Sequence, residues 1–581
     1  MRKNDFIIVA ILVALMFGWM KYYPALEKKY FPRPEQPAVE ATSMSPENEE
    51  QSSPAITKPV PTVGATSMPA MAELTGKDGS PAPKMETVAI PETPEELLIL
   101  SNDQMELTVS SHGGAVVSAV LKNYPELNEE ESGPVVLDFA AAPALRYDGL
   151  PISAGTLEQI DGGLLYTAPL DDGHVFKRTL KLEGEYLLTV EDAFVNSSEL
   201  PWALPELRLP TGPMENPKGA TSMRGMSMLG VDTFAPVDGV SHWGKKFRGM
   251  AKGVREFTST PEIVASRPVD WISAKNKFFV QILTPEGGAA AFDLSLRREG
   301  EGKKMVPSEV SAALQFDKEL IGANETFIRS TRVYIGPKDF GFLKTQGMEQ
   351  TEVMEFKSVG FWKFMNPIMY PIKKALLWGL IHFAPFGNYG IAILLLTIII
   401  RVLFWPLTHK GTESMKRMQA LQPQMKEIKE KYKDNPQRQQ QETMALYKEN
   451  KVNPMGGCLP MFIQIPVFIA LFTVLRSAIE LRYSGFLWIS DLSEPENLFA
   501  GMIPIVGSLN ILPLLMSATM MWQQKLTPTA GDAQQQKMMA IMMPIMMLFF
   551  FYKMPSGLVL YWTTSQVLMI AQMLIKKKKE A

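Results

Sequence analysis

Hydrophobic and polar positions along this chain change rhythm several times, and each rhythm predicts a different kind of element. An apolar stretch over 6–20 follows Arg2 and Lys3, ends without a small-residue cleavage pattern and runs straight into Lys21, Tyr22 and Tyr23. That order predicts an uncleaved N-terminal transmembrane signal anchor over 1–23. Residues 24–95 are crowded with Pro, Ser, Thr, Ala and Glu and show no hydrophobic period. They cannot bury enough apolar surface to offset chain entropy, which predicts a disordered tether. From 96 to 340 the pattern becomes short alternating segments, such as 106–109, 115–121, 176–182 and 186–190, divided by Gly, Asp, Asn and Pro turns. Alternation of that kind marks half-buried strands, and the region predicts one large all-β sandwich domain.

Over 356–386 Trp362, Met365, Met369, Ile372, Leu376 and Phe383 recur near helical spacing, with Lys363, Lys373 and Lys374 between them. This predicts an interfacial amphipathic helix, apolar face toward lipid, interrupted at Pro367 and Pro371. Apolar runs then follow at 389–408, 458–482, 500–522, 538–553 and 556–575, the fourth of them short, predicting a core of five transmembrane helices over 389–575. Between the first two lies a basic segment, 409–457, with Lys410, Lys416, Arg417, Lys426, Lys429, Lys431, Lys433, Arg438, Lys448 and Lys451. The positive-inside rule puts it in the cytoplasm, with the basic tail 576–581 on the same side, the sandwich outside and the N-terminus inside. Met418, Met425 and Tyr432 recur at seven-residue steps, and Asn435-Pro436 reads as a cap followed by an N1 proline. A helical hairpin follows, kinked at Pro423, in which Lys416, Arg417, Lys426, Lys429 and Lys431 suit a docking arm; a plain positive-inside loop explains the charge but not the amphipathic order.

Composition narrows the chemistry. At 46% hydrophobic and a net charge of -3, the chain averages two dissimilar halves. Cys458 is the one cysteine, so no intrachain disulfide can form. The five histidines, at 112, 174, 242, 382 and 409, show no paired spacing and no G-x-x-x-x-G-K-[ST] loop occurs, so neither a zinc site nor a P-loop ATPase is supported. We expect no cofactor, no metal and no enzymatic activity. Trp202, Trp243 and Trp271 read as core or edge packing of the sandwich before they read as a sugar platform.

The most informative single residue is Arg401, a charge well inside the first core span. At the centre of a span an Arg costs roughly 2.5 to 3.5 kcal/mol, so such residues usually face a bundle interior or a wet cavity. Thr397 lies one turn earlier on the same face. Snorkelling of Arg401 to the nearer surface is the competing reading, open from this helix alone. Polar residues recur in the other spans at Gln464, Ser517, Thr519, Gln523, Thr563, Thr564, Ser565 and Gln566, either as groove lining or as helix–helix glue. Met538, Met539, Met542, Met543, Met546 and Met547 suit a surface that accepts varied apolar segments, or plain lipid-facing packing.

Three stretches carry a resemblance. Residues 447–460 read YKENKVNPMGGCLP, followed by Gln464-Ile465-Pro466-Val467-Phe468; 554–562 read MPSGLVLYW; and 401–408 end in Trp405-Pro406-Leu407-Thr408. In this order they resemble the YidC/Oxa family of membrane protein insertases over 356–575, and the anchor, tether and outer sandwich resemble its Gram-negative YidC branch. The resemblance implies a polytopic α-helical membrane protein of the bacterial inner membrane, with an N-terminal anchor, a five-helix insertase core and a large all-β periplasmic sandwich domain. It implies a hydrophilic groove, open to cytoplasm and lipid and closed outside, that lowers the cost of moving a polar segment partway into the bilayer. Arg401 matches the groove arginine of the family, while Thr397, Phe468 and Trp562 match positions that face the groove or contact substrate; Trp562 stands where a relative has Tyr. With Gln464 these residues form the expected substrate groove. Implied partners are nascent membrane proteins, the Sec translocon, ribosomes and membrane lipids, with no specific DNA binding. A small-molecule transporter or channel is the alternative, but it normally has two matched halves or broken helices meeting at mid-membrane, and the chain shows no internal repeat. A membrane-anchored sugar-binding protein would rest on the sandwich alone.

Overall fold

The computed structural model describes residues 94–580, apart from 152–153, 219–228, 244–261, 265–266, 300–305, 358–359, 451, 453–458, 504–506 and 528–532. The anchor and tether expected over 1–93 lie outside the described residues. The alternating region folds as a β-sandwich. Its main layer is a nine-stranded antiparallel sheet in the order 239–243, 230–235, 271–275, 279–285, 326–337, 187–196, 174–182, 163–169, 156–160. Smaller sheets built on 97–138 and on 207–316 complete the sandwich around one apolar core. Strand Leu187–Asn196 shows why: every second residue is buried, as period-two alternation requires.

Two charged clusters are built into this core. Arg178 and Asp192 face each other on paired strands as a bidentate pair at 2.6 and 2.9 Å, both fully shielded, with the carbonyls of Gly114 and Leu145 taking further guanidinium N–H groups. Lys275 donates to Asp232 at 2.5 Å, to Glu355 at 3.1 Å and to the Val353 carbonyl at 2.9 Å. Burial pushes the Asp232 carboxyl up, but Lys275 and then His242, 2.7 Å away, outweigh it and hold the acid below its usual range. The three tryptophans serve packing: Trp271 is buried with its indole N–H on the Met348 carbonyl at 2.8 Å, Trp243 lies edge-on to Phe292, and Trp202 stacks on His174.

Helices follow the sandwich: α1 (Phe340–Gln346), α2 (Asn366–Phe383), α3 (Tyr389–Ala420), α4 (Gln422–Lys431), α5 (Pro436–Glu449), α6 (Leu459–Ser477), α7 (Ile511–Leu526), α8 (Ala533–Phe551) and α9 (Ser556–Glu580). The sandwich hands over to them through 347–357, where Lys275 grips Val353 and Glu355, and the Phe356 carbonyl accepts from the buried Lys373 of α2 at 2.7 Å. α2 is not interrupted as expected. Pro367 occupies its first turn, where no N–H is needed, and Pro371 removes only the bond to the Pro367 carbonyl, so the helix runs on to Phe383. It buries Met369, Leu376, Leu377 and Leu380 against α3 and α6 and exposes Ile368, Trp378 and Ile381, so it is apolar on two faces rather than one. Gly379 allows the close approach, since a Cβ there would sit 2.9 Å from Leu396.

Two further boundaries differ from expectation. α3 passes through Pro406 and continues to Ala420, so the first hairpin arm is an extension of the span. Its 32 residues reach about 48 Å, well beyond a hydrocarbon core of about 30 Å. The break falls at Leu421, and Pro423 starts α4 rather than kinking an arm. Over 500–522 the helix begins only at Ile511; Leu498–Ile503 and Gly507–Leu509 pair as antiparallel strands, where Gly501 and Gly507 disfavour helix. Among the described residues, Tyr389–Pro406 and Ser556–Ile575 are by length and composition apolar enough to cross a membrane, and Gln464–Ser477 and Ala540–Phe551 are shorter apolar helices.

Candidate functional site

α9 organises the site. Its N-terminus is pinned, the backbone N–H of Ser556 and its hydroxyl donating to the Glu494 carbonyl at 2.8 and 2.7 Å, and the Gly557 N–H to the Leu492 carbonyl at 2.9 Å. These bonds satisfy donors that a helix start leaves open and fix the helix against the loop after α6. Two ridges then run along it, Tyr561 with Ser565 and Trp562 with Gln566, each pair four residues apart and so on one face.

Arg401 reaches across from α3 to the first ridge. Its Nε–H is shared between the Ser565 carbonyl oxygen at 3.1 Å and Oγ at 3.0 Å, and an Nη2 N–H goes to the same carbonyl at 2.7 Å. The side chain thus turns into the bundle instead of running along α3 to its end. No carboxylate pairs with it among the described residues. On the same ridge the buried Tyr561 hydroxyl accepts from the Gln464 amide of α6. On the second ridge Trp562 meets Phe468 edge-on at 5.2 Å and Phe551 at 5.3 Å, and Phe468 also contacts Phe551 at 5.6 Å. In the amide orientation that satisfies all neighbours, Gln566 accepts from the Trp562 indole at 2.8 Å and donates to Thr519 of α7 at 2.7 Å.

Of the residues expected in a groove, Arg401, Gln464, Phe468 and Trp562 therefore all meet α9 or belong to it. Thr397 does not join them: it is fully buried, and its hydroxyl donates to the Ile393 carbonyl of its own helix at 2.6 Å. The sequence offers Ser565 only as one of several polar span residues that line a groove or join helices, and Tyr561 only within the 554–562 motif. The available signal was their four-residue spacing, but nothing local says that Arg401 and Gln464, 164 and 97 positions away, are the groups they face. The outward side of α3 is apolar, with Val402 and Leu403 63% and 68% exposed, which suits lipid.

The basic residues of the hairpin lie apart from this network. Arg417 pairs with Glu413 at 2.7 Å on the α3 extension, while Lys426 and Lys431 are exposed and Lys416 and Lys429 half-buried. The arms close on Leu421, Tyr447 and Val452, with Met418 and Met425 packed against them and the Tyr447 hydroxyl 3.2 Å from the Met425 sulfur. Tyr432 lies outside that cluster, under Lys431 and Arg438. Asn435 caps α5, accepting from the Arg438 N–H at 3.0 Å, as its sequence context requires.

The comparisons with known proteins converge with this architecture. Residues 159–370 match the model of the YidC periplasmic domain and 381–581 that of the 60Kd inner membrane protein. A membrane protein insertase YidC of Syntrophus aciditrophicus is 35% identical over 484 residues, 78% of this chain and 81% of its own length. That of Pelobacter propionicus is 33% identical, covering 73% and 76%, and that of Prosthecochloris aestuarii 31% identical, covering 91% and 87%. A crystal structure of an active YidC insertase with its first transmembrane domain resolved shares 21% identity and covers 83% of this chain and 94% of that one, with a TM-score of 0.33. The chain belongs to the family of YidC membrane protein insertases.

Proposed function

We propose that this protein inserts and helps fold inner-membrane proteins, alone or with the Sec translocon, by receiving a polar segment of the incoming chain beside Arg401. The observation that carries this reading is a guanidinium held inside a helix bundle by one serine, with no carboxylate partner among the described residues. In a low-dielectric surround such a charge attracts an acidic segment far more strongly than it would in water. Phe468, Phe551 and Trp562 form an apolar wall on the next ridge, suited to the hydrophobic part of the same substrate.

In this reading α3, α6, α7, α8 and α9 are five core spans. The 19 residues of α6 and of α8 reach roughly 29 Å, close to a hydrocarbon thickness of about 30 Å, and the 16 of α7 reach roughly 24 Å, a mismatch that local thinning accommodates. The hairpin of α4 and α5, raised on the long α3, is the cytoplasmic arm that meets nascent chains and ribosomes, and α2 lies at the outer interface with lipid on its exposed face. Both termini are cytoplasmic and the sandwich periplasmic, which the basic hairpin and tail support.

The test is insertion of a short membrane protein into liposomes holding the purified protein. Arg401→Ala is expected to impair substrates with acidic translocated tails several-fold more than neutral ones, and Arg401→Lys to keep much of the activity. Equal loss for both substrates would reject the electrostatic role. Solute uptake without insertion would point to a transporter.

A further inference from the structure

We propose that Ser565 is a positioning residue for Arg401 that sets the selectivity of insertion for acidic segments; this rests on the groove reading above. All three bonds found for the guanidinium go to this one residue, and they use the Nε–Nη2 edge. A guanidinium can meet a carboxylate along that edge or at its Nη1–Nη2 end. With the first edge taken by Ser565, the end remains for the substrate. Ser565 is buried, so water does not compete for its hydroxyl. Its carbonyl can serve Arg401 and the i+4 amide of the unbroken α9 at once, because a carbonyl oxygen has two lone pairs.

The arrangement answers a problem inherent in a long side chain. α3 continues past Arg401 for nearly twenty residues toward the hairpin, so an untethered Arg can turn along the helix and place its charge nearer water. Ser565 holds it in the bundle. Tyr561, one turn earlier on α9 and bonded to Gln464, braces the same ridge against α6, so Ser565 stands on a fixed element. Ala at 565 removes the Oγ acceptor from the shared Nε–H bond and leaves the carbonyl, while Thr retains a hydroxyl on the same carbon.

The experiment uses the full chain in liposomes of phosphatidylethanolamine and phosphatidylglycerol, and a single-spanning test protein whose translocated tail carries either two Asp or two Asn. The readout is the ratio of acidic to neutral insertion for wild type, Ser565→Ala, Ser565→Thr, Arg401→Ala and the Ser565→Ala/Arg401→Ala double variant. We expect Ser565→Ala to lower the ratio about three- to tenfold, Thr to restore it, and the double variant to match Arg401→Ala. Ser565→Cys, similar in volume but a weak acceptor, should behave like Ala and serves if Ala does not fold. A ratio changed by Arg401→Ala but untouched by Ser565→Ala and Ser565→Cys overturns the proposal and leaves the groove reading intact. Equal loss on both substrates, not restored by Thr, overturns it as a packing effect. No change in the ratio with Arg401→Ala overturns the groove reading, and the positioning role with it.

Discussion

Lys275 illustrates how much of this molecule rests on charges taken out of water. It is buried between Asp232, Glu355 and the Val353 carbonyl, and burial lowers its proton affinity while Asp232 and then Glu355 raise it above the ordinary value. Removing one member of such a buried pair typically costs about 3 to 5 kcal/mol, because the other is left unpaired. Lys275→Ala is therefore expected to move the unfolding midpoint of the sandwich sharply downward, followed by the fluorescence of Trp271, whose indole bonds the adjoining segment at Met348. Asp232→Asn in the same chain should restore part of the loss; a Lys275→Ala protein as stable as wild type would show the pair to be idle. At this scale the sequence revealed charges but not partners. Arg401 stood out as one charge in an apolar run, whereas Ser565 was one of many polar residues in spans until the fold brought α3 and α9 together.

At the scale of elements, local signals were readable and tertiary ones were not. Asn435 capping α5 and the alternation over 186–190 follow from neighbours in sequence; the cap is found, and the alternation lies in a strand that runs on to Asn196. Residues 500–503 are apolar enough to pass for the start of the 500–522 span, and the pairing that makes them part of a strand depends on 507–509. α2 departs from expectation for a related reason, since Pro367 sits where the first turn tolerates it, Pro371 costs only the bond to the Pro367 carbonyl, and Lys373 is buried by tertiary contact. Lys373 is 2% exposed, and the loss of its hydration pushes its pKa down from 10.5 to about 8, against the pull of Glu352 and Glu355. The sign follows directly: between pH 8 and 10.5 the released helix binds more protons than the docked one, so docking strengthens as pH rises through that window. The full span is worth about 3 kcal/mol. Thermal unfolding in detergent should thus show a higher Tm at pH 9.5 than at pH 7.5 from this group, and Lys373→Met should remove the difference. A slope that survives in Lys373→Met would assign it to other groups.

At the scale of the whole molecule, the sandwich meets the helices, among the described residues, at the loop after α6 and at the linker 347–357. Lys277 donates to Glu494 and to the Ser493 carbonyl, Tyr483 and Arg482 donate to the Glu126 carbonyl, and Asn128 donates to the Ser490 carbonyl. The same loop, however, holds the helix ends by itself. Glu496 caps α7 at the Leu512 N–H, the carbonyls of Leu492 and Glu494 cap α9, and the Gly485 carbonyl accepts from Asn388, the N-cap of α3. The sandwich therefore leans on a closure that does not depend on it, and the mostly polar contacts it would leave behind can be met by water. α2 is placed differently, packed into α3 and α6 with Lys373 buried, so its loss would open the apolar core of the bundle. Deleting 100–320 is expected to support growth of a depletion strain and leave insertion in liposomes near normal, with 340–357 kept as the lead into α2. Deleting 358–384 is expected to abolish both at comparable protein levels. Growth with the second deletion and failure with the first would mean that the substrate path runs through the sandwich and that the helices alone do not form the working insertase.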